Sequence, residues 1–558
     1  MNSNHLLQVE NLDHLGLVAG IIDEIGIVEQ INQLLGQHET ERVSAGQVVK
    51  AMILNGLGFV SAPLYMFSKF YEGKATEHLI GEGVKPEHLN DDRLGRVLDK
   101  LYLAGLSQVF MVIALAAVKK FEVKTHRSHL DSTSLHLHGQ YENSLPAVSF
   151  ITRKINPNNP KSEEVEETIV PQAIQITYGY SRDFRPDLKQ FILDLICSGD
   201  GDVPLFLRVA DGNEQDKAVF ARILCEFSQQ LDLESLMIAD SALYTAANLA
   251  LMKNLKWLCR VPLTVAQAKQ LISQLREEDF VKSTLDGYQI AQHLSNYGGV
   301  AQRWIVVESE TRKQADLRQL ERRLVKAEQT AHKKLQQLYK AKFACAEDAI
   351  KAASELSQQL KYHCLSDIIT VEADLDKTKK SKRGQPSENS FYQIQASLVR
   401  DTRAIESEIR CAGRFVLATN VLDISCLSND EMLAEYKAQQ GTERGFGFLK
   451  DPLFFTDSVF LKSPERVSAL ALVMGLCLLV YTLGQRQLRL ALEQSQLGIK
   501  NQLGKLTRRP TLRWVFQCFQ AVHLITIAHT KQITNLTPER LNILRFFPSS
   551  CRQYYLLS

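Results

Sequence analysis

A change of hydrophobic period near residue 127 constrains this chain more than any other feature. Upstream, apolar residues recur at helical spacing in LGLVAGIIDEIGIVEQINQLL and in SAGQVVKAMILNGLGFV, where Ser44 is placed to cap a helix. NDDRLGRVLDKLYLAGL continues the pattern, with acids in its first turn and Arg93, Arg96 and Lys100 behind them. Downstream the runs become short and close on turn residues. HLDSTSLHLHG and AIQITYGYS alternate, while KQFILDLICS and VPLFLRVADG are compact apolar runs. A helix is expected over DKAVFARILCEFSQQL, then a strand in SLMIAD, a helix in TAANLALMKN and a strand in WLCRVP. Elements interleaved in that order predict an α/β domain built on a mixed sheet. Several carboxylates stand at strand ends, where such folds place their chemistry.

At 558 residues, length alone predicts three or four domains of about 150 residues. The patterning places a helical region, suited to DNA binding, dimerisation or simple packing, over 1–122. The α/β core follows over 123–262, and an insertion of mixed helix and strand over 263–429. The core resumes over 430–499, and a basic, helical C-terminal region occupies 500–558. Within the insertion, Leu317, Leu320, Leu324, Ala327 and Ala331 recur at 3-4-3-4 spacing. That suits a long helix or a coiled-coil-like hairpin with a basic outer face. DKTKKSKRGQPSENS reads as a polar, basic loop, and FYQIQASLV and GRFVLATNV as strands. Near the C-terminus, Lys500, Lys505, Arg508, Arg509 and Arg513 surround Trp514. Cations beside an aromatic can neutralise phosphates and stack on a base, so Arg508 and Arg509 are candidate DNA contacts, against a plain solvated loop.

Composition excludes little. Apolar residues make up 45% and charged residues 23%, and the net charge of +2 points to no partner. Ten scattered cysteines, none at C-x2-C spacing, fit a reduced cytosolic protein without a zinc ribbon. No basic-then-apolar leader opens the chain, so a secretory signal is not expected. Val467 to Leu483 runs uncharged at the lower edge of membrane-spanning length, and a buried core helix is the expected outcome.

The stretch THRSHLDSTSLHLHG, 125–139, poses the question of chemistry. As a strand it points Asp131, Thr133, Leu135 and Leu137 one way and Ser132, Ser134, His136 and His138 the other. One face offers two histidines, whereas zinc wants three or four convergent ligands, and no HExxH is present. His136 and His138 therefore read as a polar outer face, with His126 and His129 in a preceding turn. Asp131 gains weight from partners downstream. Asp240 closes SLMIAD, and in EYKAQQGTERGFGFLKDP the residues Tyr436, Gln439, Glu443 and Lys450 would share about 60° of one helix face at about 100° per residue. Gly441, Gly445 and Gly447 each cost such a helix about 1 kcal/mol, so packing must support it.

This last pattern resembles the Y-x2-R-x3-E-x6-K signature of bacterial insertion-sequence DDE transposases, of the branch with a long insertion before the catalytic glutamate. Tyr436, Glu443 and Lys450 match it, and Gln439 stands where Arg is usual. HLDSTSLHLHG resembles the family's first-aspartate strand and MIADSALYTAANL its second. GYSRDFRPDLKQ, DGNEQD and the N-terminal NDDRLGRVLDKL are similar to other segments of that branch. The resemblance implies a ribonuclease-H-like core in which Asp131, Asp240 and Glu443 bind two Mg²⁺ ions, with Mn²⁺ as a substitute. Hard carboxylate oxygens suit such ions, which activate a nucleophile and stabilise the leaving oxygen. Tyr436, Gln439 and Lys450 then stand at DNA-contacting positions. Asp211 and Asp216 in VADGNEQD are the rivals for the second carboxylate, Asp216 also being placed to cap the next helix.

The implied activity is metal-dependent cleavage at element ends and strand transfer into target DNA. Its partners are the terminal inverted repeats, target DNA and a second copy or larger synaptic assembly, in the cytoplasm at the nucleoid and away from membranes. The rivals are a ribonuclease-H-like nuclease that does not transpose and an inactive DNA-binding remnant.

Overall fold

The strand Arg127–Leu137 organises the α/β part of the molecule, because it accepts an antiparallel neighbour on one side and a parallel one on the other. The computed structural model describes residues 7–37, 41–59, 62–141, 149–155, 163–169, 172–181, 183–231, 234–374, 390–451, 461–527 and 530–557. By its contacts the chain divides into two compact units, Met1–Cys259 with Glu435–Ser558, and Arg260–Ala434.

In the first unit five strands follow one another along the chain: Arg127–Leu137, Lys189–Ser198, Pro204–Ala210, Leu236–Ala239 and Lys256–Val261. In space they run third, second, first, fourth, fifth. The first three pair antiparallel, and the first, fourth and fifth pair parallel. This is a mixed α/β sheet, as the run of short apolar segments predicts. The central strand is buried on both faces, including Ser132, Thr133 and Ser134. Parallel pairing with covering helices produces such two-sided burial, so the polar face expected for His136 and His138 is confined to the strand's end, where His136 is half-buried and His138 exposed. AIQITYGYS, expected as a strand, forms a single bridge at Thr177–Gln190. There the backbones of Gly179 and Gly212 close on Gln190: a Cβ on Gly179 would lie 2.0 Å from Gly212 O, and one on Gly212 would lie 2.0 Å from Gln190 O.

Helices cover the sheet. LGLVAGIIDEIGIVEQINQLL forms two, Leu15–Ile25 and Ile27–Leu35, because Gly26 turns left-handed between them (φ 79°). Ser44 caps Ala45–Gly56 as its sequence implies, with Gln47 completing a capping box. Asn90 caps Asp91–Leu103, and Leu106–Lys120 follows. These pack with Pro464–Ser495, which contains the uncharged run. That helix is long and apolar enough to cross a membrane, yet 89% of its apolar window is buried inside the protein. Ile21, Leu54, Leu98 and Phe110 join Leu476, Leu479 and Leu483 in one continuous core. One element was not foreseen in the helical N-terminal region: Gln8–Asn11 is a strand that pairs with His523–Ile527 near the other end of the chain. All ten cysteines are free thiols.

The second unit carries its own antiparallel strands in the spatial order Arg414–Thr419, Val300–Ser309, Tyr288–Tyr297 and Val281–Lys282. Its long helix, Glu310–Lys340, buries Leu320, Leu324, Ala331 and Leu335. That row continues the 3-4 spacing, with Leu317 and Ala327 half-buried beside it. The row packs on Tyr362 and on the apolar face that the helix Ala346–Gln359 shares with the ribbon His363–Asp374 and Ser390–Arg400. The basic loop DKTKKSKRGQPSENS lies, except for Ser390, outside the described residues.

Candidate active site

Strand register fixes two of the three carboxylates. Arg127, Ser128 and His129 pair in parallel with Leu236, Met237 and Ile238. Two further steps along both strands bring Asp131 level with Asp240, and parallel neighbours at equal register share a face about 4.8 Å apart. Asp131 is buried, at 9% exposure, and its Oδ1 accepts the Ser132 N–H at 2.8 Å. Asp240 lies just past its strand, half-buried, with Oδ1 accepting the Ala242 N–H at 2.8 Å. Each carboxylate is therefore oriented by the backbone beside it. Asp211, the rival, follows the strand at the edge of the five and is two strands away from Asp131. Its Oδ1 accepts the Gln175 N–H at 2.8 Å, a loop-fixing role. The helix it was weighed with begins at Asp216 itself.

The third carboxylate is placed by packing. The segment expected as one helix is two, Asn429–Ala438 and Gln440–Leu449, joined at Gln439. Gln439 N–H bonds to Tyr436 O at 3.3 Å and Thr442 N–H to Gln439 O at 3.1 Å, the tight i to i−3 pattern of a helix end. Tyr436 and Gln439 thus do not share a straight face with Glu443. Tyr436 is half-buried, and Gln439 is only 7% exposed at the junction.

Helix Gln440–Leu449 buries Gly441, Thr442, Phe446 and Leu449. Two of its three glycines are explained by close approach. A Cβ on Gly441 would lie 1.8 Å from Asp202 Oδ1, and one on Gly445 would lie 3.3 Å from Leu478. Nothing in the structure explains Gly447. Phe448 meets Tyr481 of the long apolar helix, with ring centroids 4.5 Å apart. Helix Gln440–Leu449 itself packs on the central strand. Cys197 pairs with His129 across the sheet and so shares the face of Asp131. Burial pushes the Cys197 thiol up, Asp202 and Asp131 reinforce this, and Thr442 opposes it, so these groups surround one thiol.

Glu443 is exposed, about 100° around the helix from buried Thr442. Among the described residues no three His, Cys, Asp or Glu side chains converge closely enough to hold a metal ion. The donor set nevertheless suits a hard cation: two adjacent carboxylates on the sheet, and a third on a helix packed against the same strand.

The neighbours of this site supply groups that sequence patterning missed. Lys450 Nζ contacts Asp183 Oδ2 at 2.6 Å, and His136 Nδ1 lies 3.4 Å from the same oxygen. Asp183 belongs to GYSRDFRPDLKQ, whose acids beside arginines were the available signal. Burial holds His136 below the usual histidine value, with Asp183 opposing. His136 is thus a half-buried partner of Ser181, at 3.0 Å, and His138 is exposed. His129 lies in the strand instead of a turn. It is 1% exposed, and burial together with Arg127 lowers its pKa to about 4. Arg444 pairs with Asp202 at 3.1 Å, and Arg127 with Glu435. Arg508 and Arg509 are exposed. Arg508 donates to Gln496 O at 3.3 Å, and the Arg509 N–H to Thr507 Oγ1 at 3.1 Å.

Comparison with known proteins adds little to this geometry. A family model described as a domain of unknown function, DUF4277, matches residues 7–115. No curated protein matches the chain. A solved structure titled "Cryo-EM structure of piggyBac transposase synaptic complex with hairpin DNA" aligns at 9% identity and a TM-score of 0.34. It covers 97% of this chain and 80% of that one. A likeness that loose carries no conclusion. The structure itself defines a mixed α/β protein with Asp131 on its central strand and Asp240 directly after the parallel neighbour.

Proposed function

We propose that the protein is a DNA transposase of the DDE type, cutting strands at the ends of its element and joining them to target DNA. The observation that carries the reading is the register that sets Asp240 beside Asp131, with the Glu443 helix packed on the same strand. The third-second-first-fourth-fifth strand order supports a ribonuclease-H-like core. Asp131, Asp240 and Glu443 would hold divalent ions, Mg²⁺ or Mn²⁺, which supply an activated nucleophile and a stabilised leaving oxygen. Asp131 and Asp240 arrive pre-oriented by the Ser132 and Ala242 N–H groups. Glu443 approaches from the helix, so bound substrate and ions complete the site. Lys450 exchanges its Asp183 partner for a substrate phosphate, a task suited to a compact point charge. Tyr436, the other residue that matches a phosphate-contacting position of the family, would meet the same DNA strand. The acting form is a dimer or larger synapse on chromosomal DNA in the cytoplasm, because two ends must be cut and joined together.

The test is cleavage of DNA carrying the sequences that flank the coding region, in Mg²⁺. Wild type should cut. Asp131→Asn, Asp240→Asn and Glu443→Gln should each lose about 10²-fold or more in rate while still binding the DNA. Undiminished cutting by Glu443→Gln would refute the assignment.

A further inference from the structure

Between Gln496 and Gln517 the chain carries Lys500, Lys505, Arg508, Arg509 and Arg513 and no acidic residue. The structure gives this composition a shape. Ile499–Lys500 and Leu506–Thr507 pair antiparallel, Ile499 with Thr507 and Lys500 with Leu506. The turn between them is held by Asn501, whose Oδ1 accepts the N–H groups of Leu503 and Lys505, each at 3.0 Å. Gly504 closes it in the left-handed region, at φ 73°. The root is fixed: Ile499 is buried, Trp514 Nε1 donates to Lys500 O at 2.8 Å, and Arg489 Nε donates to Pro510 O at 3.0 Å. The tip is not packed on anything. Leu503 is 79% exposed and Leu506 is 74% exposed, among the exposed Lys500, Lys505, Arg508 and Arg509. Two large aliphatic side chains on a rigid, cationic projection leave apolar surface in water without any gain to the fold.

The hairpin is also tied to the candidate active site. Arg513 Nη1 contacts Asp451 Oδ2 at 2.6 Å, and Asp451 directly follows Lys450. Arg489, which donates to Pro510 O just past the hairpin, lies among Arg509, Arg444 and Asp202, with Arg444 paired to Asp202 beside Glu443. We propose that residues 499–509, the hairpin and the two arginines that follow it, form a docking wing for double-stranded DNA. Its cations neutralise backbone phosphates, and Leu503 and Leu506 enter a groove, where aliphatic wedges beside cations widen or unstack base steps. Four exposed cations without an acidic residue between Gln496 and Gln517 favour the polyanionic duplex over a protein partner. The inference rests on the reading that this unit acts on DNA, and deepens it by naming the element that seats the duplex.

The full-length chain tests this by fluorescence anisotropy against a mixed-sequence DNA duplex, over a series of salt concentrations and without divalent metal. Replacing Lys500, Lys505, Arg508 and Arg509 together with alanine should weaken binding by about tenfold or more. It should also make the log–log salt dependence shallower by about 3–4, at about 0.9 per lost phosphate contact. Leu503→Ala with Leu506→Ala should weaken binding and leave the salt slope unchanged, a split that a merely structural role would not produce. Thermal unfolding of both variants should match wild type, because none of the replaced side chains is buried. An unchanged affinity and slope in the four-cation variant, from a wild type that still cuts DNA, overturns the wing alone. A wild type that neither binds nor cuts DNA overturns the underlying reading as well. Binding of wild type to phosphatidylserine vesicles but not to the duplex would assign the hairpin to a membrane surface and refute the proposal.

Discussion

The aspartate pair and the glutamate helix reach the same face of the central strand by different means. Asp131 and Asp240 are set by strand register, and each carboxylate is steered by a backbone N–H within two residues of it. Moving Asp131 means breaking its antiparallel pairing with Leu195, and Asp240 directly follows a paired strand. Glu443 rides on a helix of ten residues, broken from its predecessor at Gln439 and held by Thr442, Phe446, Phe448 and Leu449. Its side chain is exposed. Two carboxylates thus stand on or directly beside the sheet and the third rides on an exposed helix face, an arrangement that would suit the proposed site closing around DNA and ions. Substitutions that disturb the sheet should cost stability, whereas substitutions under the helix should cost activity.

Two glycines break the comparison most sharply. Gly212 sits where an added Cβ would meet Gln190 O at 2.0 Å and Thr177 O at 2.8 Å, both backbone atoms that cannot turn aside. Gly212→Ala should destabilise the protein by about 1–3 kcal/mol, read as a lower midpoint in denaturant unfolding. Gly441→Ala meets a carboxylate that can rotate, and alanine favours a helix over glycine by about 1 kcal/mol. Its unfolding midpoint should therefore change little, while DNA cleavage falls by about tenfold as Asp202 turns away from Arg444 and releases the residue beside Glu443. Equal losses of stability in the two variants would erase the distinction.

Lys450→Ala should have the smallest effect. Its pair with Asp183 is partly exposed, so stability should change by about 1 kcal/mol or less. The salt dependence of DNA binding should become shallower by about 0.9, one phosphate contact.

How much of this was legible in sequence depended on whether local pattern or distant packing decided each element. Ser44 and Gln47 announce their helix because a capping box is local, and the seam of Glu310–Lys340 shows because its period is local. The strand HLDSTSLHLHG was legible as a strand, but not its burial. Alternating polar residues look half-exposed until helices cover both sides, so the burial of Ser132 and Ser134 and the place of His129 inside the strand were not visible. AIQITYGYS alternates well and still fails to pair beyond Thr177, because glycine contacts from Gly212 decide its path. The break at Gln439 was hidden for a similar reason: Asp202, more than two hundred residues away in the chain, occupies the space beside Gly441. Nor does the N-terminal patterning show that Gln8–Asn11 pairs with a strand near residue 525. Asp131, Asp240 and Glu443 are singled out by resemblance alone; what the structure adds is that the first two follow strands in matching register and the third stands on a helix placed by packing.

Metal binding measured directly, without DNA, bears hardest on that division. Mn²⁺ titration of the full-length chain, followed by electron paramagnetic resonance, should show binding in wild type. Asp131→Asn and Asp240→Asn should each abolish it, and Glu443→Gln should weaken it without removing it. Retention of wild-type Mn²⁺ affinity by Asp131→Asn and Asp240→Asn would contradict the assignment of this site.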